Sequence, residues 1–549
     1  MLAGRPPRLR FSLGIESLIP TRLVTARGWL RQHLPASVAF ALGLVFVWSR
    51  IVELAATSAM PFDFVSYVLP ASSFSTGLGK PYVNYWDIKP PLLLAHLALW
   101  IEFFGLSLKG FYVLYALWLI LTLVCAWLLL RVLVPPWIAA VAFAGATVAM
   151  SASGSLDMFF PSELPGLAIV LLGLLIVVKW SNRDWSPLVA AALLTAAGQF
   201  KDVYTLAPAV LVPVIWCARS RVKTALYVVI GAVTSLGLTA LYLVVSGSLG
   251  GYLSVLAWKH SAFPAPGVTG ELRGVGKLLF AHNVGLAVGL GSSLFAVVIA
   301  LVLQRRVPIS PARGASGRQP RPAALVLLLW LLLAVGFVWQ GKSTSQHYLV
   351  TVQLPSVLAV AAAFSIAAEV PTTSRRRNIA LAALTIVCFF PQQALARTYV
   401  SDAWNSSPHR LHERWSALES PAAVAEFRRP GSLTPTGRCI QVAYGWWDAA
   451  FYLYSRRPSC SRYFLPPLVT TPKQIAQLRA QIAGHAPAVV VYQTAGADTD
   501  ISTYEKNVFP WTAVLAACYS HRGGEIYVAR STRPAAVSSC IARTLAAAT

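Results

Sequence analysis

Asp63, Lys80, Asp87 and Lys89 are the four charged residues of one stretch, Met60 to Leu92, that follows the first long apolar run of the chain. Ionisable side chains beside membrane-like sequence are expensive to keep there, so each is a functional candidate by default. Others recur at the ends of later apolar runs: Asp157, Glu163, Lys201, Asp202, Lys259, His260, Lys342, His347 and Tyr348. One carboxylate among several cations suits a particular chemistry. The carboxylate takes a proton from a hydroxyl as general base, while Lys or His stabilises the charge developing on a departing phosphate. Asp63 is the expected base, and Asp87, Lys89, Asp157, Glu163, Lys201, His347 and Tyr348 are the expected substrate contacts.

Each residue also has a plainer reading. Asp63 suits a solvated helix end, Lys89 suits snorkelling at a membrane edge, and Lys201 beside Asp202 suits a locked ion pair. His347 and Tyr348 open an apolar run, where Tyr belongs to the aromatic belt. Asp87 is expected to orient its loop, through Lys89, rather than to react. Pro90 and Pro91 suit the first turn of a short helix, a structural job. Trp258-Lys259-His260 reads either as a substrate-loop cluster or as an interfacial anchor.

The elements that must hold these residues follow from composition. Of 549 residues 56% are hydrophobic, and the mean hydropathy is +0.61. Several apolar runs approach the roughly 20 residues that cross a hydrocarbon core, which excludes an ordinary soluble domain. The net charge of +25 is not a nucleic-acid footprint, because the basic residues fall in short segments between apolar runs. That distribution follows the positive-inside bias. Residues 1–35, with Arg5, Arg8, Arg10, Arg22, Arg27 and Arg31, are read as a cytoplasmic terminus, and run 36–59 as an uncleaved anchor in the cytoplasmic membrane. A transmembrane region is expected over 36–396, with a first outer loop at 60–110 that holds a short interfacial helix, Leu92–Phe104. Further runs at 111–130, 137–150, 164–178, 188–199, 203–217, 225–245, 284–303, 325–339, 349–368 and 379–396 give about eleven spans. The 188–217 hairpin is short for two full crossings. In this orientation every candidate residue lies on the outer face.

From 397 onward charged, Pro and Gly residues become common, and 397–549 is expected to form a small extracytoplasmic α/β domain. Strands are expected at Gln441–Tyr444, Ala488–Tyr492 and Glu525–Ala529, and a helix over Pro472–Gly484. Four of the seven cysteines, Cys439, Cys460, Cys518 and Cys540, fit two disulfides in an oxidising compartment. Their pairing stays open, with Cys439–Cys460 and Cys518–Cys540 as the nearest-neighbour option and four separate thiols as the alternative. Metal-ligand spacing is absent among them. No cofactor is demanded, and a divalent cation is left open. The fold class expected is a polytopic α-helical membrane protein with a small C-terminal α/β domain.

The stretch Gly79-Lys-Pro-Tyr-Val-Asn-Tyr-Trp-Asp-Ile-Lys-Pro-Pro-Leu92, behind an Asp placed just after the first run, resembles the first outer loop of GT-C glycosyltransferases. The branch it resembles holds the lipid A aminoarabinose transferases, the protein O-mannosyltransferases and the rhizobial core galacturonosyltransferases. Further echoes are Leu156-Asp157 with Glu163-Leu-Pro165, Gly198-Gln-Phe-Lys201, Gln346-His-Tyr-Leu-Val-Thr-Val-Gln-Leu-Pro355, and Tyr444-Gly-Trp-Trp-Asp448 with Leu453-Tyr-Ser-Arg-Arg-Pro458. The resemblance implies a polyprenyl-phosphate-linked sugar as donor and a lipid, glycan or protein acceptor reached from the outer face. It also implies inversion at the anomeric carbon and a hexosyl or pentosyl transfer in lipopolysaccharide or other cell-envelope glycan synthesis. The chain departs from the pattern at one point. Many members carry an acidic residue next to the first-loop Asp, whereas Phe62 and Phe64 flank Asp63 here, so metal assistance or a second carboxylate from elsewhere is left open. Two other classes compete. A lipid or glycan transporter or flippase calls for internal repeats with broken helices at the midplane, and the halves show no such repeat. A non-catalytic scaffold would bind a wall component through its outer domain and tolerate loss of Asp63.

Overall fold

The computed structural model describes residues 26–55, 62–152, 162–181, 183–262, 320–340, 354–361, 408–443, 449–465, 469–492 and 501–548. Among them, helices α1 (Ala26–Leu54), α4 (Leu108–Leu133) and α9 (Arg221–Val245) are long and apolar enough to cross a membrane. At its 26 residues α4 is about 39 Å long, against a hydrocarbon core of roughly 30 Å. Between α4 and α9 run the apolar helices α5 (Pro136–Ala152), α6 (Glu163–Lys179) and α7 (Ser186–Phe200). α1 packs on α4 and α5, α4 on α6, α6 on α7, and α7 on α9. α6 is apolar on every side and is buried along almost its whole length, as such a helix must be inside a bundle.

α9 shows the opposite arrangement. It buries only Gly231, Ser235, Thr239 and Leu243, four residues apart on one narrow stripe, while Val222, Leu226, Val229, Val233 and Leu238 stay exposed. An aliphatic face of this kind is stable against lipid, where the helix satisfies its own backbone groups. Small residues on the buried stripe let two backbones approach. A Cβ at Gly231 would strike the carbonyl of Leu188 in α7.

Most of the apolar runs in the described residues are helices within a few residues of the expected ends. The run at 203–217 is the exception. It breaks into 3₁₀ turns at Asp202–Tyr204 and Ala207–Leu211 and a short helix α8 (Val212–Cys217). Pro208 and Pro213 fall inside it, and each removes a backbone donor and crowds the preceding turn. The first loop holds one more helix than expected, α2 (Phe62–Thr76), ahead of α3 (Pro91–Phe104). α3 starts as expected, with Pro90 extended at the N-cap and Pro91 at the first helical position. Residues around Trp258 form a helix, α10 (Leu249–Ala262), in place of the expected loop, and α11 (Pro320–Gln340) follows. Runs 284–303 and 379–396 lie outside the described residues. Only 354–361 of run 349–368 are described, and they are helical. The expected total of eleven therefore extends beyond what is described.

The C-terminal part carries a four-stranded sheet in the order β1-β2-β4-β3, from β1 (Ile440–Val442), β2 (Val489–Val491), β3 (Tyr519–His521) and β4 (Ile526–Ala529). β1 and β2 are parallel in the register Ile440 to Val489, and the other pairs are antiparallel. A parallel pair needs a crossover. Helix Pro472–His485 supplies it, opened by a capping box in which Thr471 and Gln474 satisfy each other's backbone N–H groups. β1, β2 and β4 are the three expected strands. β3 was not expected, because Tyr519-Ser-His continues an apolar helix, Trp511–Cys518, without a turn signal between them. The disulfides are Cys439–Cys460 and Cys518–Cys540, the nearest-neighbour option.

Candidate functional site

Asp63 is the second residue of α2. One turn later on the same face stands Tyr67, buried at 5% exposure, and between them Phe64 packs edge-on against Phe111 of α4 at 4.8 Å. Helix Ala449–Ser455 of the C-terminal part packs on α2 as well. Towards its end α2 contains Pro70, and the hydroxyls of Ser72, Ser73 and Thr76 donate back to the carbonyls of Leu69, Pro70 and Ser72. Gly77, in the left-handed region at φ +68°, turns the chain into the loop that carries Asp87 and Lys89.

That loop is held by side chains as well as by backbone hydrogen bonds such as Asn84 N–H to the Lys80 carbonyl at 2.9 Å. Tyr85 donates through its hydroxyl to the Leu78 carbonyl at 3.1 Å, and the Lys80 N–H donates to Asn84 Oδ1 at 2.8 Å. Asp87 is 1% exposed. Its Oδ1 accepts the Lys89 backbone N–H at 3.1 Å, and its Oδ2 has no hydrogen-bond partner among the described residues. Burial pushes its carboxyl up to about 6, against the opposing pull of Lys89, the backbone amides of Lys89 and Ile88, and Lys259. Asp87 therefore does reach Lys89, through the backbone. The Lys89 ammonium lies 4.5 Å from the centre of the Tyr67 ring, a cation–π contact that brings it to the face of α2 shared by positions 63 and 67.

A second polar cluster joins α6 to the end of α7. Lys201 Nζ lies 2.7 Å from Glu163 Oε1 and donates to Ser162 Oγ at 3.0 Å, with the two charged side chains 9% and 1% exposed. The Tyr204 hydroxyl donates to the Glu163 carbonyl at 3.0 Å. Lys201 is thus paired with Glu163, not with its neighbour Asp202, which pairs with Lys259 of α10. The backbone explains the difference. Lys201 is extended at the C-cap of α7 while Asp202 opens a 3₁₀ turn, so adjacent side chains diverge. Between this cluster and α2 lies a cavity of about 20 Å³, lined by Phe64, Tyr67, His96, Tyr115, Trp118 and Ser162 among others. It is large enough for one water molecule.

Of the expected contacts, Asp87 and Lys89 come together beside α2, and Glu163 and Lys201 come together where the start of α6 meets the end of α7. Asp157, His347 and Tyr348 lie outside the described residues. Among the described residues no group of three or more His, Cys, Asp or Glu is arranged to hold a metal ion. Tyr67, Tyr82, Ser162 and Arg462 join the site without having been expected from the sequence. Tyr and Ser in apolar sequence give no spacing signal, and Arg462 follows Cys460 by two residues with nothing to mark it.

No protein-family model and no curated protein sequence matches this chain. Its fold, however, has solved counterparts. ArnT from Cupriavidus metallidurans bound to undecaprenyl phosphate is 16% identical, with a TM-score of 0.53 over 93% of this chain and 99% of that one. The Archaeoglobus fulgidus oligosaccharyltransferase tethered to an acceptor peptide is 13% identical, with a TM-score of 0.51 over 92% and 75%. The archaeal oligosaccharyltransferase AglB from Archaeoglobus fulgidus, in complex with an inhibitory peptide and a dolichol-phosphate, is 12% identical, with a TM-score of 0.51 over 92% and 75%. The chain shares the fold of these membrane proteins. At these identities the likeness is one of architecture.

Proposed function

We propose that this protein is a polytopic membrane glycosyltransferase that moves a sugar from a polyprenyl-phosphate donor to a hydroxyl on a lipid, glycan or protein acceptor at the outer face of the cytoplasmic membrane. Asp63 acts as general base on the acceptor hydroxyl, which attacks the anomeric carbon with inversion. The bond to the donor phosphate breaks as the new glycosidic bond forms, and Lys89 takes up the charge released on that phosphate. Asp87 fixes the turn of backbone that presents Lys89. Glu163 and Lys201 hold the ends of α6 and α7 around the site, and Asp157, His347 and Tyr348 complete the contacts to the sugar and acceptor. One observation supports the reading most: the Lys89 ammonium sits on the ring of Tyr67, four residues after position 63 in α2, which fits a phosphate-binding cation beside the helix that carries the proposed base. The architecture agrees, since ArnT bound to undecaprenyl phosphate aligns over almost its whole length. A resemblance in the Gly79–Leu92 stretch favours the aminoarabinose, mannosyl and galacturonosyl transferase branch.

The test compares purified wild-type protein with Asp63→Asn. Asp63→Asn is expected to keep its melting temperature and its undecaprenyl-phosphate binding while losing turnover by about a hundredfold or more, the range of a general base. The acceptor is first found by mass spectrometry of envelope lipids and glycans from cells lacking the chain, as a product short of one sugar. Turnover by Asp63→Asn within a few-fold of wild type would refute the assignment.

A further inference from the structure

Tyr82 lies at the centre of a tight turn. Its φ is +61°, in the left-handed region, and the Val83 N–H donates across it to the Pro81 carbonyl at 2.7 Å, which makes a γ-turn. A tyrosine in that conformation is strained and persists only when its surroundings over-determine it. They do so here on three sides. The ring is fully buried and packs 5.0 Å from Tyr252 of α10, the hydroxyl donates to the Lys89 carbonyl at 2.6 Å, and the Tyr82 carbonyl accepts Arg462 Nη2 at 2.8 Å.

Arg462 belongs to the C-terminal part, far away in the chain. Its guanidinium also lies over the Trp86 ring at 4.2 Å, and its own carbonyl accepts the Trp86 N–H at 2.7 Å. Trp86 in turn packs on Tyr463 at 5.7 Å and on Trp258 at 5.9 Å. Arg462 has no ion-pair partner among the described residues, so its charge is directed to a carbonyl and an aromatic face of the loop. Its backbone is fixed from behind. The Arg462 N–H donates to Gln481 of the crossover helix, and two residues earlier Cys460 is bonded to Cys439 at the start of β1.

We propose that Arg462 is the positioning residue of the site: it clamps the strained turn at Tyr82, and Tyr82 through its hydroxyl then fixes Lys89 over Tyr67. The C-terminal domain is thereby an obligatory part of the phosphate-binding site, and not only a module that meets the acceptor. This rests on the reading of Lys89 as the phosphate contact.

The test uses the full-length protein in detergent, as wild type, Arg462→Ala, Arg462→Lys and Lys89→Met, with two measurements on each. Hydrogen exchange of peptides over 78–90 reports the loop, and binding of undecaprenyl phosphate reports the cation. Arg462→Ala removes a charged hydrogen bond and a cation–π contact, so exchange over 78–90 is expected to rise about tenfold while peptides over β2 stay unchanged. Undecaprenyl-phosphate affinity is expected to fall about tenfold, as in Lys89→Met, whose loop keeps wild-type exchange. Arg462→Lys keeps the charge and one donor, and is expected to restore part of both. Unchanged exchange in Arg462→Ala overturns the clamp. Faster exchange with unchanged affinity overturns its action on Lys89. If wild type and Lys89→Met bind the lipid phosphate equally, the phosphate reading of Lys89 fails, and exchange alone then decides whether Arg462 clamps the loop.

Discussion

At the scale of single residues, Asp87 makes the sharpest claim, because it is a carboxylate closed off from water with one oxygen unpartnered among the described residues. Its folded pKa of about 6 lies above the unfolded value, so the native state holds the proton more tightly than the unfolded chain. Stability from this group is therefore fully present below about pH 4 and is lost as pH rises through about 6, a difference of roughly 3 kcal/mol. The groups acting on it are Lys89, the Lys89 and Ile88 amides and Lys259, with neutral Tyr82 alongside. Asp87→Asn is expected to flatten the dependence of melting temperature on pH between 4 and 7 and to raise the melting temperature at pH 7. Lys89→Met, which removes an opposing charge, moves the fall to higher pH. A wild-type melting curve that is level across this window contradicts the burial argument. Asp87, Lys89 and the Pro90-Pro91 start of α3 are legible in the sequence because charge and paired prolines are conspicuous in apolar surroundings. Tyr82 and Arg462 are not legible, because their parts depend on a positive φ and on a contact between residues 380 positions apart. The partner of Lys201 is misread from adjacency to Asp202, since the choice between Asp202 and Glu163 lies in backbone direction.

At the scale of elements, the bundle is held where small residues let backbones touch. α9 offers a controlled pair of glycines. Gly231 faces α7, where an added methyl would meet the Leu188 carbonyl, and a backbone carbonyl cannot swing aside. Gly237, on the exposed side of the same helix, has nothing within 4 Å of a built Cβ. Gly231→Ala is expected to destabilise by about 1–3 kcal/mol as the helices are forced apart. Gly237→Ala is expected to stabilise by about 0.5–1 kcal/mol, because alanine loses less backbone freedom than glycine in a helix. Thermal unfolding in one detergent, read for both variants, checks the pair, and equal shifts of the same sign contradict the packing. Helix existence is legible here from long aliphatic runs. The broken segment at 202–217 is not, because hydropathy counts Pro208 and Pro213 as tolerable side chains and takes no account of the backbone donors they remove. α2 is missed for a related reason: Phe62–Thr76 is too short and too rich in serine to stand out beside true spans.

At the scale of the whole molecule, the two disulfides occupy different mechanical positions. Each closes a loop of similar length, with separations of 21 and 22 residues, so chain entropy alone assigns them similar worth, about 3 kcal/mol apiece. Their surroundings differ. Cys518–Cys540 joins helix Trp511–Cys518 to the terminal helix Pro534–Ala548, a contact internal to the C-terminal part. Cys439–Cys460 ties the start of β1 to the segment that carries Arg462, Tyr463 and Phe464, and these three contact Tyr82, Trp86 and Tyr85 of the first loop. Other links between the two parts run elsewhere, from Arg414 to the Val52 carbonyl and from Glu419 to the Leu108 N–H, so neither substitution undocks the domain. The double variant Cys439→Ser with Cys460→Ser is therefore expected to loosen residues 78–90 along with β1. Cys518→Ser with Cys540→Ser is expected to loosen only the terminal helices, although both lower the melting temperature of the C-terminal part by comparable amounts. Hydrogen exchange on the two double variants separates these outcomes. Equal protection of 78–90 in both would mean that the first loop keeps its shape without support from the β1 side of the sheet.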